Sequence, residues 1–148
     1  MCSMKLVIND VKAGKSYQKE VPREREMLLY NKKINDMFDG GMACELPGYK
    51  LQIRGGSDKD GFPMRPEVSG TRRANLVLSN PPGIKISRKG FKKKKAVVGN
   101  TVSPTIVQLN LKVIEYGPKT LEELGLKLTP KDQKPKEEKK VEKKKKQK

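Results

Sequence analysis

Between Met4 and Glu115 the apolar residues recur mainly at every second position, the period of a strand with one buried face. Val107, Leu109, Leu111 and Val113 share one face of such a strand, and Gln108, Asn110 and Lys112 share the other. Tyr49, Leu51 and Ile53 alternate in the same way with Lys50, Gln52 and Arg54, so basic side chains point outward. Ile84-Lys85-Ile86 repeats the pattern beside the turn signal Pro81-Pro82-Gly83. Further strands are predicted over residues 5–9, 16–21, 74–79 and 95–98, each bounded by Gly, Asn, Asp or Pro.

Two stretches break the period of two. Pro22 followed by Arg23-Glu24-Arg25-Glu26, then Met27, Tyr30, Ile34 and Met37 at helical spacing, predicts a helix with Pro near its first turn. Thr120 and Glu123 form a capping box that predicts a second short helix, with Leu121 and Leu124 inward and Gly125 as the stop. The class predicted is mainly β: a small barrel or sandwich of about six to eight short strands with one or two short helices.

The chain has 148 residues, enough for one domain, predicted over 1–129, and an appendage over 130–148. The appendage holds ten Lys against four acids, and Val141 is its only aliphatic residue. It cannot offset the entropy of ordering, so a disordered basic tail is expected. Two roles stay open for it: a solubilising terminus, or an arm that folds on nucleic acid.

Charge adds direction to this picture. Lys and Arg number 34 against 17 Asp and Glu, a formal net charge of +17. Residues 1–49 are nearly neutral, whereas residues 50–112 carry fourteen basic groups against only Asp58, Asp60 and Glu67. A surface of that kind suits a polyanion, and inside a cell the abundant candidates are nucleic acid and acidic membrane. No apolar run approaches a membrane span, a strongly amphipathic basic helix is missing, and no apolar leader is seen, so a soluble cytoplasmic protein is expected. The two cysteines, Cys2 and Cys44, are too few for a disulfide framework, which also predicts a reducing compartment.

Catalytic chemistry is poorly supplied. With no His and no Trp, an imidazole base, a Ser-His-Asp or Cys-His nucleophile and a Cys₂His₂ zinc site are excluded. Gly14-Lys15-Ser16 could end a phosphate-binding loop, but Asn9 stands where its first Gly is required, and a hairpin turn is the better reading. Asp58-Lys59-Asp60-Gly61 with Glu67 imitates part of a calcium loop, yet Gly56 occupies the first ligand position and Pro63 and Pro66 break the loop. No enzyme activity, metal, cofactor or small-molecule substrate is therefore expected.

What remains is phosphate contact. Arg54-Gly55-Gly56-Ser57-Asp58-Lys59-Asp60-Gly61-Phe62-Pro63-Met64-Arg65 reads as a tight surface loop whose glycines let backbone N–H groups approach an anion. Asp58 and Asp60 would repel phosphate, so they are assigned to turn-forming bonds or to pairing with Lys59 and nearby arginines. Phe62 and Met64 either wedge against unpaired bases or pin the loop to the core. Arg72-Arg73 opens one strand, and Arg88-Lys89-Gly90-Phe91-Lys92-Lys93-Lys94-Lys95 leads into another. Consecutive lysines in a strand point to opposite faces, so the run must be a loop or have both faces against a polyanion. The candidate interface is Arg54, Gly55, Gly56, Lys59, Gly61, Phe62, Met64, Arg65, Arg72, Arg73, Lys85, Arg88, Lys89, Lys92, Lys93, Lys94 and Lys95. Aromatics are sparse for a base-stacking platform, so backbone contact should dominate.

The stretch Gly55-Gly56-Ser57-Asp58-Lys59-Asp60-Gly61-Phe62-Pro63-Met64 resembles the signature loop of the small-subunit ribosomal protein six family of archaea and eukaryotes, called S-six-e. Met4-Lys5-Leu6-Val7-Ile8-Asn9-Asp10, Leu46-Pro47-Gly48-Tyr49-Lys50-Leu51, Val98-Gly99-Asn100-Thr101 and Val107-Gln108-Leu109-Asn110-Leu111 are similar to the family in the same order. The resemblance runs from Met4 to about Leu128 and is to the short, archaeal form. It implies a mostly β structural constituent of the small ribosomal subunit that binds 16S-type rRNA beside neighbouring small-subunit proteins and stabilises folding and assembly. It departs from the family at Lys92 to Lys95, where members more often carry arginines. The alternative from another class is a free-standing nucleic-acid-binding protein, such as an RNA chaperone or a DNA-compacting factor.

Overall fold

The computed structural model describes residues 3–79, 88, 90–121, 124 and 126–128. Among these residues eight strands appear: β1 Met4–Asp10, β2 Lys15–Val21, β3 Met37–Asp39, β4 Lys50–Asp58, β5 Arg73–Leu78, β6 Lys93–Val98, β7 Ile106–Glu115 and β8 Lys127–Leu128. Six form one sheet in the order β3-β4-β7-β1-β2-β8, and β5 pairs with β6 in a separate antiparallel ribbon. The mainly β expectation holds; of the two arrangements foreseen, the barrel is not formed, because β3 and β8 leave the sheet with two edges. Its only parallel pair among the described residues is β1 with β7, at the centre.

Alternation builds the core. Leu6, Ile8, Leu51, Ile53, Leu109 and Leu111 come from one face of neighbouring central strands and are wholly buried. Leu29, Ala43, Cys44, Leu46, Val98 and Val102 belong to the same cluster and come from the segments packed over that face. Cys44 is therefore no reactive thiol: burial, the largest effect, pushes its pKa up to about 12. The β1–β2 connection is the hairpin turn expected at Gly14, which takes φ +65°, and Asp10 Oδ1 accepts hydrogen bonds from the Lys12 and Ala13 N–H groups at 2.9 and 3.1 Å.

The helix expected from Pro22 to Met37 is cut short. Only α1, Arg23–Glu26, and a 3₁₀ turn, Met27–Leu29, form before the chain leaves helical geometry. Asn31 and Asn35 take left-handed φ of 65° and 78°, and the N–H groups of Asn31 and Ile34 bond to the carbonyls of Val102 and Asn100 at 3.1 and 3.0 Å. Tertiary hydrogen bonds thus capture donors that a helix would have used internally. Met37 then enters the edge strand β3. An unforeseen helix, α2, spans Gly40–Cys44, with Asp39 Oδ1 accepting from the Gly41 N–H at 2.9 Å. Of the second predicted helix, Glu123 and Gly125 lie outside the described residues, and Leu124 N–H bonds to the Thr120 carbonyl at 3.3 Å. The strand expected at Ile84-Lys85-Ile86 and the tail 130–148 lie outside the described residues. No helix among the described residues is long and apolar enough to cross a membrane.

Candidate nucleic-acid interface

Strand β4 runs further than its alternation predicts, through Arg54-Gly55-Gly56-Ser57 to Asp58. Its register against β7 shifts between Ile53 and Gly55, a bulge at which Gly55 takes φ +151°. One extra residue changes the phase of every side chain beyond it. Leu51 and Ile53 face inward before the bulge; Gly56 and Asp58 do so after it. Asp58 is consequently a carboxylate turned toward the interior, only 4% exposed.

A buried carboxylate needs a partner, and Arg73 at the base of β5 supplies one. Its Nε donates to Asp58 Oδ2 at 2.7 Å, and the guanidinium also reaches Asp60 Oδ2. Hydrogen bonds to Asp58 and then to Asp60 raise the Arg73 pKa above its ordinary value. The guanidinium also lies 5.0 Å from the Phe62 ring centroid. Asp58 Oδ1 accepts the Lys59 N–H at 2.6 Å. The two roles foreseen for these acids, turn formation and pairing with an arginine, are both present at Asp58.

The loop closes on itself. Asp58 N–H bonds to the Phe62 carbonyl at 3.0 Å, Gly61 N–H to the Asp58 carbonyl at 2.9 Å and Met64 N–H to the Gly56 carbonyl at 2.9 Å. These N–H groups are spent internally, so the backbone anion cradle expected from the glycines is not formed by them. Gly56 has another reason to lack a side chain: a Cβ there would stand 2.4 Å from the Gln108 carbonyl oxygen of β7. Met64 is 6% exposed and belongs to the core, with Phe62 packed against it, so of the two readings the pin prevails over the wedge. Arg65 Nε lies 3.4 Å from Glu67 Oε2, an ion pair without hydrogen-bond geometry.

Exposed cations lie on this loop, beside it and out along the ribbon. Arg54 sits on the bulge, Lys59 on the turn, Arg72 before β5, Lys92 before β6, and Lys93 and Lys94 at the start of β6, with Lys95 half-buried. None of these seven has an acidic partner among the described residues, in contrast to Arg73. Arg88 is exposed; Lys85 and Lys89 lie outside the described residues. Phe91, named within the basic run but not in the candidate interface, is 48% exposed beside Lys92. Among the described residues no cluster of His, Cys, Asp and Glu could hold a metal ion.

Residues 4–126 match the family described as Ribosomal protein S6e. The chain belongs to that family. It is 50% identical over 124 residues to "Small ribosomal subunit protein eS6" of Methanocaldococcus jannaschii, covering 84% of this chain and 92% of that protein. Proteins of the same name from Methanococcus maripaludis strain C6 and Archaeoglobus fulgidus are 44% identical over 119 residues and 42% over 120, covering 80% and 81% of this chain and 93% of each relative. The loop from Gly55 to Met64 is thus a self-bonded turn latched to β5 through Asp58 and Arg73.

That latch makes a prediction. Asp58→Asn places an amide donor against the Arg73 donors, and a fall in melting temperature on the order of 5–10 °C is expected, with faster amide exchange at the base of β5. Arg73→Lys keeps the charge and loses the planar fork, so it should lower the melting temperature while leaving the salt dependence of RNA binding unchanged. An unchanged melting temperature in Arg73→Lys would refute the latch.

Proposed function

We propose that the chain is a structural component of the small ribosomal subunit, bound to small-subunit rRNA chiefly through phosphates and without a catalytic role. One observation carries this reading: the 50% identity across 84% of the chain to a protein named for the small ribosomal subunit. The geometry supports its finer part. Cations without acidic partners project from a bulge and a turn tied to the core and from a ribbon anchored to it at its base, which favours phosphate positioning over base reading. Arg54, Lys59, Arg72 and Lys92 to Lys95 are the proposed contacts, Gly55 and Gly61 leave room for the backbone to be approached, and Asp58 and Arg73 position the rest. Domain 1–129 would be the rRNA-binding body and 130–148 a basic arm.

Gradient sedimentation of cell extracts tests it. The endogenous protein is expected to travel with small subunits at moderate salt. Recovery mainly on DNA, or in the free fraction, would replace this reading with a free-standing nucleic-acid-binding protein.

A further inference from the structure

Along the β5–β6 ribbon, β6 is exposed at its start and buried at its base. At its base Val97 and Val98 are buried, opposite Ala74 and Arg73. Toward its tip the pairs are Leu76 with Lys95, Val77 with Lys94, and Leu78 with Lys93. Directly paired residues share a face and successive pairs alternate. One face therefore presents Val77 and Lys94, and the other presents Leu76, Lys95, Leu78 and Lys93. The two faces differ: on the first Val77 is 63% exposed and Lys94 is exposed, whereas on the second Lys93 is exposed and Leu76, Leu78 and Lys95 are half-buried.

A two-stranded ribbon is marginal in water when it packs on nothing. An isolated ribbon that only needed solvation would carry acids among its lysines to limit self-repulsion, yet β5 and β6 contain no Asp or Glu. Lysines on both faces, each face also offering an aliphatic side chain, suit an environment that is anionic on two sides. Folded RNA supplies this where two backbones run past each other, and the long lysine stems can lie along sugar edges while the ammonium groups meet phosphate.

Resting on the rRNA-binding reading, we infer that the ribbon inserts between two phosphate backbones of the folded RNA, with Lys94 facing one and Lys93 and Lys95 the other. It acts as a spacer that neutralises repulsion between strands which would otherwise be held apart.

The test uses the full chain, full-length small-subunit rRNA, and the variants Lys94→Gln and Lys93→Gln/Lys95→Gln, which keep part of the stem and the fold. Each is expected to flatten the plot of log affinity against log salt, by about 0.7–0.9 for every lysine removed. Cross-links from Lys94 and Lys95 are expected on two RNA segments that lie apart in the secondary structure. An unchanged slope in either variant, or cross-links confined to one segment, overturns the two-sided insertion while rRNA binding itself stands. Failure of the unmodified chain to bind this RNA removes both readings at once.

Discussion

Replacing Arg72, Lys92, Lys93, Lys94 and Lys95 together by Gln is expected to weaken binding to small-subunit rRNA by on the order of 10³-fold near 0.1 M salt. Each phosphate contact releases counterion, so the log–log salt slope should fall by about 3.5–4.5. Fluorescence anisotropy across a salt series measures both quantities. The fold should survive, because these five residues have no acidic partner among the described residues and none belongs to the core. A variant with the original slope would remove this surface from the interface. Arg73 is left out of the set on purpose: its guanidinium is held by Asp58 and Asp60, and its loss would confuse binding with stability.

Gly99→Val is expected to abolish the native fold. A Cβ at Gly99 would stand 1.9 Å from the Gly70 carbonyl oxygen and 2.6 Å from its carbon, both backbone atoms that cannot rotate away. The contact lies where the segment after β6 is bound to residues 68–72, with Gly99 N–H on the Arg72 carbonyl at 3.1 Å and Thr101 N–H on the Gly70 carbonyl at 3.2 Å. Even Gly99→Ala should cost at least about 3 kcal/mol, seen as a melting temperature lowered by roughly 10 °C or more. Gly14→Ala is the control. Nothing lies within 4 Å of its Cβ, and only the left-handed φ of +65° is penalised, at about 1–2 kcal/mol. Equal losses in the two variants would refute the steric account.

Much of the sheet was legible because a half-buried strand leaves a period of two in the chain. The predicted strands over 5–9, 16–21, 74–79 and 95–98 overlap β1, β2, β5 and β6, and Leu109, Leu111 and Val113 are buried as the pattern requires. The helix after Pro22 was over-extended because apolar spacing is silent about competition. Asn31 and Ile34 donate to the strand-flanking carbonyls of Val102 and Asn100 instead of to their own turn. Helix α2 was passed over although Asp39 before Gly40-Gly41 is a cap signal, because two glycines argue against helix. In the candidate interface, sequence located the loop and the lysine run but misread the purpose of Gly56, whose crowding comes from Gln108 in a strand fifty residues away.

By itself the sequence determined the strand periodicity, the concentration of positive charge in residues 50–112, and the loss of imidazole chemistry with the missing histidine. These are properties of composition and local spacing, present before any contact forms. The tertiary structure alone decided which cations stay available. The bulge at Arg54 turned Asp58 inward, Asp58 claimed Arg73, and the pairing of β5 with β6 divided a continuous lysine run between two faces. A phase shift of one residue and a partner brought from elsewhere in the chain are non-local events, and no local pattern encodes them.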